Sequence, residues 1–213
     1  MAYTFPLQFA DFANRLPVAS FSWELQRFEE FSGTARGETI VNEIAAPKWR
    51  ADVSLRPMLI TQANEIQALM EVLGSSNRFG LYDLRKCGPA SDPDGSILGS
   101  ATPTVYAIGT DGKTLRLQGL PAGYTLAIGD MLAIKYGAEA RVALHRVVSP
   151  AAASGVGITG FFEIRPHMKV GPGIGNVVAL RKPWAEMQVT SYSVGDRHGR
   201  FVDGVGFTAL EAY

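Results

Sequence analysis

The strongest constraint on the fold is a strand pattern that begins at Trp49. Four apolar residues, Trp49, Ala51, Val53 and Leu55, alternate with polar ones. A period of two predicts a β-strand that turns one face to a core and the other to water or a neighbouring molecule. Pro57 ends this strand, because proline has no N–H to donate to a sheet.

The polar residues of this strand are the candidate interface residues. They are Arg50, Asp52, Ser54 and Arg56. A polar face that carries both signs of charge suits water, but it also suits contact with a second copy of the same chain. We therefore take these four residues as candidates for an interface between subunits.

A single amphipathic helix is predicted directly after the strand, over residues 62–73. Its apolar residues recur at the i, i+3, i+4 and i+7 positions and form one stripe: Ile66, Leu69, Met70 and Leu73. Thr61 is the expected N-cap, and Gly74 is suited to end the helix. A short, one-sided helix of this kind is expected to lie against a sheet.

The rest of the chain reads as short strands separated by turns. The segment Phe31–Gly37 is interpreted as a loop, and residues 87–104 as a linker rich in glycine and proline. Residues 96–168 contain several short strands at regular spacing, which predicts a small β-barrel or sandwich. We therefore expect a mainly β protein in which residues 1–90 and 172–213 form one β unit with the helix, interrupted by a second small β domain at 96–168.

Charge and hydropathy exclude several classes of protein. The chain has 20 basic and 20 acidic residues in 213, so its formal net charge is zero, which argues against electrostatically driven binding of nucleic acid. Charged residues make up 19% of the chain, and such a low share protects poorly against association. No apolar run approaches the roughly 20 residues that span a bilayer, and the first residues do not resemble a signal peptide.

No pattern in the sequence predicts catalysis, a cofactor or a metal. The three histidines are widely spaced, and Cys87 is the single cysteine. A G-x-G-x-x-G match at residues 155–160 precedes a strand pattern rather than the helix that dinucleotide binding requires. We therefore expect a protein that is not an enzyme and that has no catalytic, cofactor-binding or metal site.

The order of several short motifs resembles the distal tail proteins, minor tail proteins of long-tailed phages and prophages. The resemblance covers roughly residues 45–213, which is most of the chain, and depends on seven short motifs. They are Pro47–Met58, Asn77–Asp83, Leu117–Pro121, Ile128–Ile134, Leu144–Val148, Phe162–Pro166 and Val205–Ala212. The resemblance implies a β-sandwich "belt" domain with one helix, plus a second domain of galectin-like or OB-like type.

The same resemblance implies a structural virion protein without enzymatic activity. Its subunits are expected to form a hexameric ring at the tail tip that joins the tail tube protein to the hub or baseplate protein and the receptor-binding apparatus. The tape-measure protein is a further expected neighbour, and genomic DNA is expected only as transiting cargo. Assembly is expected in the host bacterial cytoplasm, without membrane insertion.

Two other readings remain open from the sequence. One is a monomeric carbohydrate-binding β module, which would present aromatic side chains in an exposed groove. The other is a different minor tail protein, such as a tube or tube-terminator subunit. The second β unit favours the distal position, because tube subunits generally lack a substantial second domain.

Overall fold

The strands form two large antiparallel sheets and one two-stranded sheet. The structure is a computed structural model that describes residues 3–74, 76–137, 141–168 and 170–213. Half of the chain is in strands and 8% is helical. The fold is therefore mainly β and of the β-sandwich class, as the sequence predicts.

The elements of the described residues follow one another along the chain. They are a 3-10 helix (Ala13–Arg15), β1 (Val18–Gly33), β2 (Thr39–Leu55), β3 (Met58–Leu59), α1 (Ile60–Leu73), β4 (Phe79–Tyr82), β5 (Thr104–Ile108), β6 (Thr114–Gln118), β7 (Thr125–Leu126), β8 (Met131–Tyr136), β9 (Arg141–Val147), β10 (Ala151–Ala152), β11 (Phe162–Arg165), β12 (Val178–Ala179), β13 (Trp184–His198) and β14 (Phe201–Glu211).

The first sheet has the order β1-β2-β14-β13-β4, with β3 paired to β14. The alternation that begins at Trp49 is confirmed, because Trp49, Ala51, Val53 and Leu55 are all buried on its inner face. Helix α1 packs against β13 and β14. This part of the chain therefore buries its apolar residues between a sheet and a single helix.

The helix prediction is correct in place and face but not at its N-terminus. The stripe Ile66, Leu69, Met70 and Leu73 is buried. The helix begins at Ile60 rather than at 62, and its N-cap is Leu59, without a side-chain hydrogen bond. Gly74 ends it, with a positive φ of 49° and an N–H that donates to the Met70 carbonyl. Pairing of β3 with β14 sets the start, because it fixes the backbone just before Ile60.

The prediction of a loop at Phe31–Gly37 is wrong over its first half. Strand β1 continues to Gly33, and only residues 34–38 turn. Gly37 has a φ of 82°, which glycine adopts without strain. Pro47 lies inside β2, near a register shift in the pairing with β1. A proline is tolerated there because β14 pairs with β2 only from Arg50 onward, which leaves the other edge of β2 open at residue 47.

The second sheet has the order β12-β8-β9-β11-β6-β5 and curls into a half-barrel. A bridge between Thr104 and Val177 links its two end strands. Strand β12 lies after residue 172 but pairs with β8. The second sheet therefore takes one edge strand from a segment that the sequence reading assigned to the first unit.

Trp49 joins the two sheets. Its side chain is 1% exposed, and its indole Nε1–H donates to the Leu144 carbonyl of β9 at 2.7 Å. The guanidinium of Arg146 lies 4.9 Å from the Trp49 ring and donates to the Trp23 carbonyl at 3.3 Å. Burial lowers the pKa of Arg146 below its ordinary value. One apolar cluster accordingly includes Leu144 of the second sheet together with Trp49 of the first.

Two buried aspartates fix the segment at 87–104 that the sequence reading took as a linker. Asp130 accepts hydrogen bonds from Lys86 Nζ at 2.9 Å and from the Ala90 and Ala127 N–H groups at 2.9 and 2.8 Å. Asp92 accepts from the N–H groups of Ile97 and Leu98. The segment is therefore tied to the second sheet through charged acceptors rather than left free.

The pKa of Asp92 lies below its ordinary value. Burial raises this pKa, but the hydrogen bonds from Ile97, Leu98 and the Tyr124 hydroxyl together lower it by more. Burial, with the charge of Asp92, raises the pKa of Tyr124. The carboxylate form of Asp92 and the neutral form of Tyr124 are thus the forms that the fold stabilises.

Trp49→Phe should destabilise the fold by about 2–4 kcal/mol. It replaces the buried indole by a smaller phenyl ring and removes the Nε1–H that donates to the Leu144 carbonyl. The matched variant is Trp184→Phe, which alters a half-buried indole and should cost about 1 kcal/mol. Urea unfolding followed by circular dichroism measures both. Equal decreases in the unfolding free energy of the two variants would contradict the role given to Trp49.

Asp92→Asn should destabilise the protein at neutral pH, and the deficit should shrink in acid. The pKa of Asp92 is lowered in the folded state. Its carboxylate therefore contributes to the unfolding free energy above pH 3.8, the ordinary pKa, and this contribution is lost as the pH falls through the folded-state pKa. Unfolding free energies measured between about pH 7 and pH 3 should converge for the two proteins. The control Asp11→Asn changes an exposed carboxylate and should stay within about 0.5 kcal/mol of wild type at neutral pH. A deficit independent of pH would contradict this account.

Candidate assembly surfaces

The hairpin of β1 and β2 extends well beyond the first sheet. We call residues 28–45 the ribbon; they pair only with each other, from Phe28 opposite Ala45 to Gly33 opposite Thr39. Strand β14 reaches β2 only as far as Arg50. A two-stranded ribbon without a third strand or a covering layer is marginally stable in water by itself.

Four large apolar side chains of the ribbon are exposed. Phe31 is 66% exposed, Ile40 53%, Val41 51% and Ile44 67%. Phe31 and Val41 are opposite each other and share one face, while Ile40 lies opposite Ser32 on the other face. Ile44 lies at a register shift, between the partners of Phe28 and Glu29. Both faces of the ribbon therefore present apolar surface, and exposed apolar surface of this kind favours interaction with another molecule.

The edges of the ribbon are also open. Among the described residues, β1 has β2 as its only strand neighbour, and β2 has no second neighbour before Arg50. Unpaired N–H and C=O groups along a strand edge are a template for pairing with another chain. The ribbon thus combines apolar faces with free backbone edges.

A groove of about 600 Å³ lies at the base of the ribbon. One wall is formed by the first sheet and includes Leu25, Phe28 and Pro47. The opposite wall is the segment after β11, with Pro166, Met168 and Val170. Val170 is fully exposed. The groove therefore lies where the two sheets meet, and apolar side chains line both of its walls.

Charged and polar side chains also line the groove. Arg27 and Glu29 form an ion pair at 3.5 Å, and Arg165 hydrogen-bonds to Nε2 of His167. Burial lowers the pKa of His167, and the charges of Arg165 and Lys113 lower it further against the opposing effect of Glu163 and Asp111. The imidazole is therefore neutral at pH 7, whereas Arg165 is charged and forms an ion pair with Glu163 at 2.7 Å.

The four predicted interface residues lie together on the outer face of the first sheet. Arg50 Nη2 donates to Asp52 Oδ1 at 3.1 Å, and the Thr208 hydroxyl donates to the same oxygen at 2.7 Å. Ser54 is exposed, and Arg56 Nε donates to the Val18 carbonyl at 3.1 Å. Three of these residues thus have partners within the chain: Arg50, Asp52 and Arg56. Strand β2 lies between β1 and β14 at this point, so another molecule could contact its polar residues only through the face of the sheet.

The ribbon residues were missed as candidates because their segment carries no clear period. The small neighbours of Phe31 predict a loop at that position, and no strand period marks the residues after the turn. One feature of the sequence could have identified them as interface candidates. Large apolar residues flank a turn there without alternating with polar residues. Such residues cannot all be buried by one sheet face, so some of them must be exposed or covered by another molecule.

A second exposed feature lies on the second sheet. The guanidinium of Arg116 lies 5.1 Å from the Tyr106 ring and 5.4 Å from the Phe161 ring. Its Nε donates to the Thr159 carbonyl at 2.9 Å, which fixes the side chain between the two rings. Both rings are exposed, at 40% and 55%. This is the arrangement of a small stacking platform with a cation at its centre.

The described residues contain no group of three or more histidine, cysteine, aspartate or glutamate side chains placed to hold a metal ion. None of the helical residues in that part of the chain forms a segment long and apolar enough to cross a bilayer. No protein-family model matches the chain, and no curated protein sequence matches it significantly.

Replacing residues 30–42 by Asn-Gly should leave the fold nearly intact. The insert joins Glu29 to Glu43, which face each other, by a two-residue turn. Because the removed side chains bury no core, the unfolding free energy should change by no more than about 1 kcal/mol at low protein concentration. The matched control replaces residues 194–205 of the other hairpin in the same way, removes the buried Val202 and Val205, and should cost more than about 3 kcal/mol. Similar decreases in the unfolding free energy of both variants would instead show that the ribbon stabilises the core.

Proposed function

We propose that this chain is a structural subunit of a phage tail tip, a distal tail protein that closes into a ring of six. The ribbon carries the proposal: it exposes apolar side chains on both faces and unpaired backbone on both edges. Covering such surface with another chain is favourable because apolar area leaves water and open edges gain partners.

The composition and the resemblance support the same proposal. A chain with zero net charge and few charged residues repels its own copies weakly. The motif order from Pro47 to the C-terminus resembles distal tail proteins, whose rings join the tail tube to the hub and the receptor-binding apparatus. In this proposal the protein is part of the virion, DNA passes through the ring, and the chain catalyses no reaction.

Carbohydrate binding by a monomer is the alternative that one observation favours. Tyr106 and Phe161 flank Arg116 on the exposed face of the second sheet, and aromatic rings with a central cation suit the stacking and hydrogen bonding of a sugar. The alternative requires neither the ribbon nor self-association. The mass of the particle in solution therefore separates the two functions.

The purified protein should have a mass of about 137 kDa by light scattering, which is six chains of 22.9 kDa. Phe31→Asp should reduce the mass to that of one chain, because a buried unpaired charge opposes association. Ile128→Asp is the matched control: Ile128 is 68% exposed, against 66% for Phe31, and lies on the second unit.

Ile128→Asp should keep the mass of the wild-type particle. A wild-type protein that stays at 22.9 kDa at all concentrations would contradict the ring and favour the monomeric carbohydrate-binding module. Loss of assembly in Ser54→Arg but not in Phe31→Asp would instead indicate that the subunits contact one another through the outer face of the first sheet.

A further inference from the structure

We propose that the platform on the second sheet, formed by Tyr106, Arg116 and Phe161, binds a sugar that carries an oxyanion, either a carboxylate or a phosphate group. The inference goes beyond the proposed ring, because this site lies on a different sheet and requires no contact between subunits. It is also narrower than the carbohydrate-binding alternative, since a neutral sugar would leave the cation of the site without a partner.

The pairing of three strands brings the platform together. Arg116 lies on β6, between β5, which carries Tyr106, and β11, which Phe161 directly precedes. The register of β5 and β6 shifts between Val105 and Ala107. In such a β-bulge two residues of one strand, here Tyr106 and Ala107, oppose a single residue of the other. Arg116 thus has an aromatic ring on each side.

The backbone holds the Arg116 side chain in place. Its Nε–H donates to the Thr159 carbonyl at 2.9 Å. Thr159 is 1% exposed, and the Leu117 N–H donates to its hydroxyl at 2.9 Å. Within the described residues no hydrogen bond involves the two Nη groups of Arg116. A guanidinium fixed in this way loses little conformational entropy when its Nη groups bind a ligand.

Arg116 is also the excess charge on its part of the sheet. In the described part of the chain it takes part in no ion pair. The neighbouring strand β11 carries Glu163 and Arg165, which pair with each other at 2.7 Å. The turn before β6 carries Asp111 and Lys113, one charge of each sign. The remaining cation suits an oxyanion, which accepts two parallel N–H bonds from one arginine.

The groups around Arg116 favour a sugar as the carrier of the oxyanion. Tyr106 and Phe161 are 40% and 55% exposed, and such rings offer apolar surface to the C–H groups of a sugar. Gln118 lies two residues after Arg116 on β6, and its Nε2 donates to the Thr104 hydroxyl at 3.2 Å. Residues two apart share one face of a strand, about 7 Å from each other. The Thr104 hydroxyl and the Gln118 amide oxygen can therefore hydrogen-bond to hydroxyl groups of the same sugar chain.

A glycan array probed with the purified full chain tests the inference. The array carries oligosaccharides with uronic acid carboxylates, oligosaccharides with phosphate groups, and neutral oligosaccharides of matching linkage. Binding should be confined to the two acidic sets, and the set that binds identifies the oxyanion. Calorimetric titration with the strongest binder should show an affinity that falls as sodium chloride is raised, because salt screens the charge of Arg116. Inorganic phosphate and acetate should not displace this sugar, since they lack the ring and the hydroxyl groups.

Two variants of Arg116 separate its charge from its shape. Arg116→Gln should reduce the affinity for the acidic sugar by about tenfold or more, because the charge-assisted hydrogen bonds are lost. Arg116→Lys should also reduce it, since an ammonium group keeps the charge but cannot donate two parallel N–H bonds. The matched control Arg200→Gln removes an exposed arginine of the first sheet and should leave the affinity unchanged.

Phe161→Ala keeps the test decisive if the Arg116 variants fail to fold by circular dichroism. Phe161 is largely exposed, so its removal should spare the fold and still weaken binding of the acidic sugar. Equal binding of acidic and neutral sugars, or unchanged affinity in Arg116→Gln, would overturn the inference, as would an array without any binding. None of these results bears on the proposed ring, which the mass of the particle tests separately.

Discussion

The rest of the structure depends on one interaction, the hydrogen bond from the Trp49 indole to the Leu144 carbonyl. Apolar side chains pack around the indole and bury it. The hydrogen bond fixes the second sheet against the first at a fully buried position. The groove has one wall from the first sheet and the other from the segment that follows β11 of the second sheet, so its shape depends on how the two sheets meet. Trp49 also lies on the same strand as one arm of the ribbon, because β2 continues from the ribbon through Trp49. A single buried contact thus links the second sheet to the strand that carries the ribbon.

The molecule divides its apolar residues between two purposes. Those at strand and helix periods fill the cores of the two sheets, where burial stabilises the folded chain. Those of the ribbon are outside either core and contribute almost nothing to the fold of one chain. Exposed apolar side chains grouped on one projecting element favour contact with another molecule. In the proposed ring a neighbouring subunit covers them.

Sequence reasoning predicted those parts of the fold in which a periodic pattern coincides with burial. The strand after residue 48 and the stripe of α1 are of this kind, because each places its apolar residues on one face that a core must cover. The start of α1 was misplaced because β3, a strand of two residues, carries no pattern of its own. Strand β12 escaped assignment to the second sheet for the same reason. Asp92 lies in the segment interpreted as a linker, and no local pattern reveals that Asp92 and Asp130 are buried, because their hydrogen-bond donors are backbone N–H groups or distant side chains.

The candidate site was less predictable than the fold. The groove joins segments more than a hundred residues apart, and no local spacing reports such a juxtaposition. Arg50, Asp52, Ser54 and Arg56 were singled out because alternation makes a polar face visible in a sequence. An apolar ribbon has no such signature, because its exposed residues look like core residues until the structure shows that nothing covers them.

Electron cryomicroscopy of the purified protein would show directly whether the ribbon is covered in an assembly. We expect a closed ring with six-fold symmetry in which a neighbouring subunit covers each ribbon. A closed ring whose ribbons project into solvent would contradict the role proposed for the ribbon. Particles the size of a single chain, with the ribbon uncovered, would contradict the proposed ring.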